Sequence, residues 1–241
     1  VNAYIEEDGT LSLNYIYEFQ NDPSADPMEY VDIGLPSSAY NRSLIEADVN
    51  GQPITEIEDS PYVDIGFALN LGANAIQPGS SGTVTVWIPG IQNFLYPYDQ
   101  GDRENYVSFN LMPNYFDSQS DKSRSTEYAV ALILPPGVGD DEGVYYTPEN
   151  WPGQSEPTEI GRTAEGDRVY YYWFTDNADL HSRYTFGGAF PAAYVPADTV
   201  AEKPVFIEPG SSTSSPGFAS WIWSLLGGNI CCFGFGLFFM A

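Results

Sequence analysis

Three carboxylates and an amide surround a glycine in Tyr98-Asp99-Gln100-Gly101-Asp102-Arg103-Glu104-Asn105, a supply of hard oxygen ligands suited to calcium. Asp99, Asp102 and Glu104 are the candidate metal ligands, and their spacing is not that of an EF-hand loop. Asp140-Asp141-Glu142, set between Gly139 and Gly143, has the same chemistry with less variety and reads as a loop tip. Asp117 with Asp121, and Asp176 with Asp179 beside His181, are thinner versions of the same pattern. Trp151, in Glu149-Asn150-Trp151-Pro152-Gly153, carries a ring that could stack on a sugar or cover a partner; its plainer role, adopted here, is a core residue anchoring its loop.

Nucleophilic chemistry has little to work with. The chain contains no Gly-x-Ser-x-Gly elbow, and the one histidine, His181, sits in a polar connection among Asp179, Ser182 and Arg183. Residues 1 to 230 contain no Cys, and Cys231-Cys232 lie together in an apolar tail, so neither a disulfide framework nor a Cys-based zinc site is expected. A hydrolase built on two carboxylates is compatible with 33 acidic residues, but chain spacing does not assemble the pair. The expectation is a protein that is not an enzyme and carries no cofactor, with calcium as the one candidate.

The elements that must position these residues are strands. In 241 residues there are 18 Tyr, 14 Phe and 5 Trp, too many for a solvated polymer, and 23 Gly with 19 Pro interrupt any long helix. Leu11, Leu13, Tyr15, Tyr17 and Phe19 alternate with Ser12, Asn14, Glu18 and Gln20, the period of a half-buried strand. Asp8-Gly9 and Asn50-Gly51 mark hairpin turns. Further strands are predicted over 63–71, 83–88, 106–111, 128–134, 168–174 and 184–190. Tyr30-Val31-Asp32-Ile33-Gly34 recurs at 62–66, which reads as two comparable strand ends rather than a solenoid. With no helical pattern between strands to supply crossovers, residues 1–200 are expected to form an antiparallel β-sandwich, as one unit or as two subdomains.

Residues 218–241, FASWIWSLLGGNICCFGFGLFFMA, hold no ionisable side chain. A helix of that length reaches about 36 Å, enough for a hydrocarbon layer of about 30 Å. A C-terminal transmembrane helix is therefore predicted, entered through Trp221 and Trp223 and preceded by a Pro/Gly/Ser-rich tether over 201–217. Ser224, Gly228, Cys232 and Gly236 recur every four residues as a low ridge, with Asn229 beside it, a face suited to packing against other transmembrane helices. A formal charge of -25 makes nucleic acid a poor partner. Asn41-Arg42-Ser43 fits a glycosylation acceptor.

Asp8-Gly9-Thr10-Leu11 opening an alternating strand, the Leu134-Pro135-Pro136-Gly137-Val138 turn and the Tyr184-Thr185-Phe186-Gly187-Gly188-Ala189-Phe190-Pro191 close, followed by tether and span, resemble a group of bacterial membrane proteins. In that group an extracytoplasmic β domain precedes transmembrane helices and a cytoplasmic region. The resemblance implies an extracytoplasmic domain on the cell membrane and a continuation past residue 241, and it brings no activity or site residues. The expected role is an accessory or scaffold component, associated with the lipid bilayer and with other transmembrane helices, as a homo-oligomer or in a larger membrane complex. The alternatives are a calcium- or carbohydrate-binding sensor and a carboxylate hydrolase.

Overall fold

The computed structural model describes residues 1–98, 103–114, 126–179 and 181–202. The predicted tether beyond residue 202, the helix at 218–241 and its ridge of Ser224, Gly228, Cys232 and Gly236 with Asn229 lie outside them. Among the described residues no helix is long and apolar enough to cross a membrane, and helix is confined to short 3-10 turns.

The described chain is built from strands, in order β1 (Asn2–Ile5), β2 (Leu11–Gln20), β3 (Tyr30–Gly34), β4 (Glu46–Val49), β5 (Gln52–Ile54), β6 (Glu56–Glu58), β7 (Gly66–Asn70), β8 (Ser81–Ile91), β9 (Tyr96–Pro97), β10 (Tyr106–Leu111), β11 (Thr126–Ile133), β12 (Val144–Tyr146), β13 (Glu159–Arg162), β14 (Val169–Ala178) and β15 (Phe186–Pro191). They form an eight-stranded sheet in the order β13-β14-β11-β1-β2-β8-β4-β5, a four-stranded sheet β12-β15-β10-β9 and a three-stranded sheet β3-β7-β6. The protein is mainly β, as its alternation predicts.

The largest sheet is mixed, which corrects the wholly antiparallel expectation. β1 runs parallel to β11, with Asn2 opposite Ala131 and Tyr4 opposite Ile133, and antiparallel to β2. A parallel pair needs a long crossover. Here the crossover is the whole chain from β2 to β10 rather than a helix, so the lack of helical periodicity did not exclude it.

The second correction concerns the repeated pentapeptide. Tyr30–Gly34 is a strand, but its copy at 62–66 is a turn that joins β7 only at Gly66. Ser60 diverts it: its hydroxyl donates to Asp32 Oδ1 at 2.5 Å and accepts from the amides of Tyr62 and Val63. The first copy thus holds the turn that prevents the second from extending as a strand. Gly34 lies opposite Gly66, where the two segments meet. Asn114 closes the outer edge of β3, accepting from the Gly34 amide at 2.9 Å and donating to the Asp32 carbonyl at 2.7 Å, so one side-chain amide stands in for a neighbouring strand.

Inward alternate positions make one core. Leu11, Leu13 and Tyr15 of β2, Val84, Val86 and Ile88 of β8, and Val169, Tyr171 and Trp173 of β14 are buried together with Phe67 and Leu69 of β7. Trp173 meets Phe186 of β15 at 5.1 Å between ring centroids, and Tyr145 of β12 meets Tyr171 at 5.1 Å, so the eight- and four-stranded sheets share aromatic packing. Each large side chain removed from water contributes roughly 1.5–3 kcal/mol. Burial also pushes the Tyr171 phenol up to about 12.

Two positive-φ glycines differ in the space around them. Asn50 and Gly51 take φ of 52° and 76° in the turn between β4 and β5, and a Cβ on Gly51 would meet nothing within 4 Å. On Gly66 it would lie 1.9 Å from the Ile33 carbonyl oxygen. Gly51→Ala should cost about 1 kcal/mol through φ alone, and Gly66→Ala about 3 kcal/mol or more through displaced backbone. Urea unfolding of the two variants measures the difference, and equal losses would contradict the close approach of β3 to β7.

Candidate functional site

The acidic clusters are described only in part, and Asp117 with Asp121 lies outside the described residues. Asp99 and Asp102 lie outside the described residues, so the proposed calcium set is represented only by Glu104, which is exposed in the turn before β10. Its neighbour Arg103 lies over the Tyr106 ring at 5.0 Å and donates to the Glu142 carbonyl at 3.4 Å. Among the described residues no three His, Cys, Asp or Glu side chains gather as a metal site.

The loop at 139–143 is held by the protein itself. Asp140 pairs with Arg162 Nε at 2.8 Å, and the same guanidinium donates to the carbonyls of Asp167 and Val138. Glu142 Oε2 accepts from the Tyr194 hydroxyl at 2.7 Å and the Gly139 amide at 2.8 Å. The Tyr194 bond, then the Gly139 amide, hold the Glu142 carboxyl below its usual range. Those acids are structural.

Trp151 is the loop anchor expected of it, 8% exposed and packed edge-on against Tyr184 and Phe186 at 5.2 Å each. Its ring is not open to a sugar. The His181 amide donates to Asp179 Oδ1 at 3.0 Å, which makes that acidic pair a local turn. Asn41 is exposed, with Oδ1 accepting from the amide and hydroxyl of Ser43.

The feature that sequence reading did not assemble is the outward face of the eight-stranded sheet. Because Ala3 and Ile5 point inward, Asn2 and Tyr4 of β1 point out. By the same alternation Ser12, Asn14 and Ile16 of β2, Thr85 and Trp87 of β8, Ala129, Ala131 and Ile133 of β11, and Tyr170, Tyr172 and Phe174 of β14 share that face, with Ser12, Ala131 and Ile133 buried beneath their larger neighbours. Over five adjacent strands the centre of this face carries no Asp, Glu, Lys or Arg in a chain with a net charge of -25; Glu18 of β2 and Asp176 of β14 lie on it toward the strand ends, and Arg168 lies over Tyr4. Register then lines up one row across seven strands: Glu159, Tyr172, Ala131, Asn2, Asn14, Trp87 and Glu46. Tyr4 meets Trp87 at 5.9 Å, edge to face. Alternation in β2 and β14 named the outward residues; the register that joins them is not written in any one strand.

Arg168 secures one end of this face, where β1 and β11 finish. Its Nε donates to the Leu134 carbonyl at 2.8 Å, one Nη to the Ile5 carbonyl at 2.6 Å and the other to Glu6 Oε2 at 3.1 Å. The guanidinium also lies 5.7 Å from the Tyr4 ring centroid. Its side chain is only 13% exposed, so these bonds are shielded from water.

No family model and no curated protein matches the chain. Among solved structures it is similar to an M1 zinc metallopeptidase from Deinococcus radiodurans, at a TM-score of 0.46 and 10% identity over 78% of this chain. A mutant of that protein bound to a Tyr-Ser-Ala substrate is similar at 0.46 and 9% identity. In both cases the chain spans 40% of the other protein's length. A likeness at this score carries no argument about this chain, and the zinc and the peptidase activity in those names stay with those proteins.

Arg168→Lys keeps the charge but loses the fork that reaches two carbonyls at once. It should cost about 2 kcal/mol, since the Ile5 and Leu134 carbonyls lose shielded donors. Unfolding in urea reads this directly, and a loss under about 0.5 kcal/mol would mean the guanidinium is ornamental.

Proposed function

We propose that residues 1 to about 200 are a non-catalytic recognition domain on the extracytoplasmic side of a cell membrane, acting as an accessory or scaffold component of a membrane assembly. In this reading the apolar segment at 218–241 anchors the domain as one transmembrane helix and packs against other helices through Ser224, Gly228, Cys232 and Gly236, with the Asn229 amide beside the ridge. The observation that carries the recognition role is the aromatic, carboxamide-bearing centre of the outward face of the eight-stranded sheet, the row from Tyr172 to Trp87. An acidic surface keeps a domain solvated and discourages contact with anionic lipid. A central row free of charge on such a surface, with half-buried rings and carboxamides, has the composition of a contact area.

The test places a photoreactive residue at Ile16, 53% exposed on this face, or at Tyr62, 84% exposed on a distant turn, in the full chain in native membranes. Irradiation should give a discrete adduct, protein or saccharide, from position 16 and none from position 62. Equal labelling at the two positions, or no adduct at either, would overturn the recognition role.

A further inference from the structure

We propose that the outward face of the eight-stranded sheet binds a neutral, hydroxyl-rich glycan chain along the cross-strand row from Tyr172 to Trp87. The inference rests on the recognition reading and names its ligand class.

The row has a near-symmetric order. A ring stands at each end, Tyr172 on β14 and Trp87 on β8, with the carboxamides of Asn2 and Asn14 adjacent between them and the small Ala131 as floor. Strands lie about 4.8 Å apart, so the two rings are separated by four spacings, roughly 19 Å. That is the reach of an extended oligosaccharide and too long for one sugar. Beyond the rings the next residues in register are carboxylates, Glu159 past Tyr172 and Glu46 past Trp87. The Tyr170 hydroxyl donates to Glu159, which fixes that acid at the rim.

Each group suits a pyranose chain. The apolar C–H face of a sugar packs on an aromatic ring, while its equatorial hydroxyls both donate and accept. Asn carboxamides also do both, and among the described residues neither the Asn2 nor the Asn14 side chain is hydrogen-bonded to the protein. The Trp87 indole N–H is likewise without a partner there. The rings are half-buried, so they are held before the ligand arrives and little side-chain entropy is lost on binding.

Charge narrows the ligand further. The row's interior is uncharged and its two ends are acidic, on a chain of net charge -25, and the guanidinium over Tyr4, Arg168, is already engaged by Glu6, so a polyuronate or sulfated glycan is repelled while a neutral one is not. Membrane hydrocarbon fits poorly, because two adjacent carboxamides at the centre of the row would be stripped of water without partners. A protein partner would be expected to bury a large anchor residue, and between its two rings this row presents only Ala131, Asn2 and Asn14.

The experiment is a calorimetric titration of the full chain in detergent micelles with three neutral probes, the β-1,4-linked hexaoses of glucose, N-acetylglucosamine and mannose, and with hexagalacturonate. At least one neutral hexaose should bind with a Kd below about 1 mM. Its trisaccharide should bind more weakly and hexagalacturonate not measurably. Trp87→Ala and Tyr172→Ala should each weaken binding about tenfold or more. Asn14→Ala, which removes nothing from the core, should weaken it several-fold, and Tyr62→Ala should leave it unchanged. Thermal unfolding of each variant shows whether the fold is kept; if Trp87→Ala unfolds, Asn14→Ala and Trp87→Phe decide the matter. Failure of every neutral hexaose to bind at 10 mM, or undiminished binding by Asn14→Ala and the ring variants, overturns the proposal. In that event a position-16 adduct with protein leaves the recognition role standing and refutes only the glycan, whereas no adduct removes both.

Discussion

Four residues hold the large sheet together. β1 lies between β2, whose partners β8, β4 and β5 come from the first 91 residues, and β11, whose partners β14 and β13 come from residue 126 onward. Without Asn2–Ile5 the eight strands would be two separate sheets, each with an unpaired edge that invites aggregation. The strand is short, so its hold depends on what surrounds it. Ala3 and Ile5 are fully buried, its backbone is paired on both sides, and Arg168 ties the Ile5 carbonyl to the Leu134 carbonyl at the end of β11.

The outward face exists only because of that insertion. Tyr172 belongs to one half of the sheet, Trp87 to the other, and Asn2 comes from the strand that joins them. A row of side chains drawn from residues 2 to 172 is fixed by main-chain register, which places every second residue on one face and leaves no freedom to slip by one. Acidic residues are correspondingly concentrated in turns and at sheet margins. There several are committed to local bonds, such as Asp140 with Arg162, Glu142 with Tyr194 and Asp48 with the Gly51 amide. The apolar core and the largely uncharged centre of the outer face are therefore two results of one alternation, with Glu18, Glu127 and Asp176 lying toward the ends of β2, β11 and β14.

Much of this architecture was legible in the residues. The alternation of Leu11 to Phe19, the Asn50-Gly51 turn and the run from Tyr106 to Leu111 are local signals, and each became the expected strand or turn. The parallel pairing of β1 was not legible, because nothing in Asn2–Ile5 records that its second partner lies about 130 residues away. The second copy of the Tyr-Val-Asp-Ile-Gly segment misled for a related reason: identical residues at 30–34 and 62–66 take different backbones because Ser60 captures the amides of only the second. The candidate site followed the same rule. Clustered acids drew attention by their sequence proximity, whereas Tyr172, Asn2, Asn14 and Trp87 are far apart in sequence and adjacent only in register.

Native-state hydrogen exchange in low, rising urea tests most directly whether β1 makes one cooperative unit of the two halves. The amides of β2 and β8 on one side and those of β11 and β14 on the other should merge into a single opening with the same free energy and the same dependence on urea. Opening of the β11–β14 pair at a distinctly lower free energy, with β2 and β8 still protected, would contradict the account, because β1 would then lie against two independent sheets without joining them.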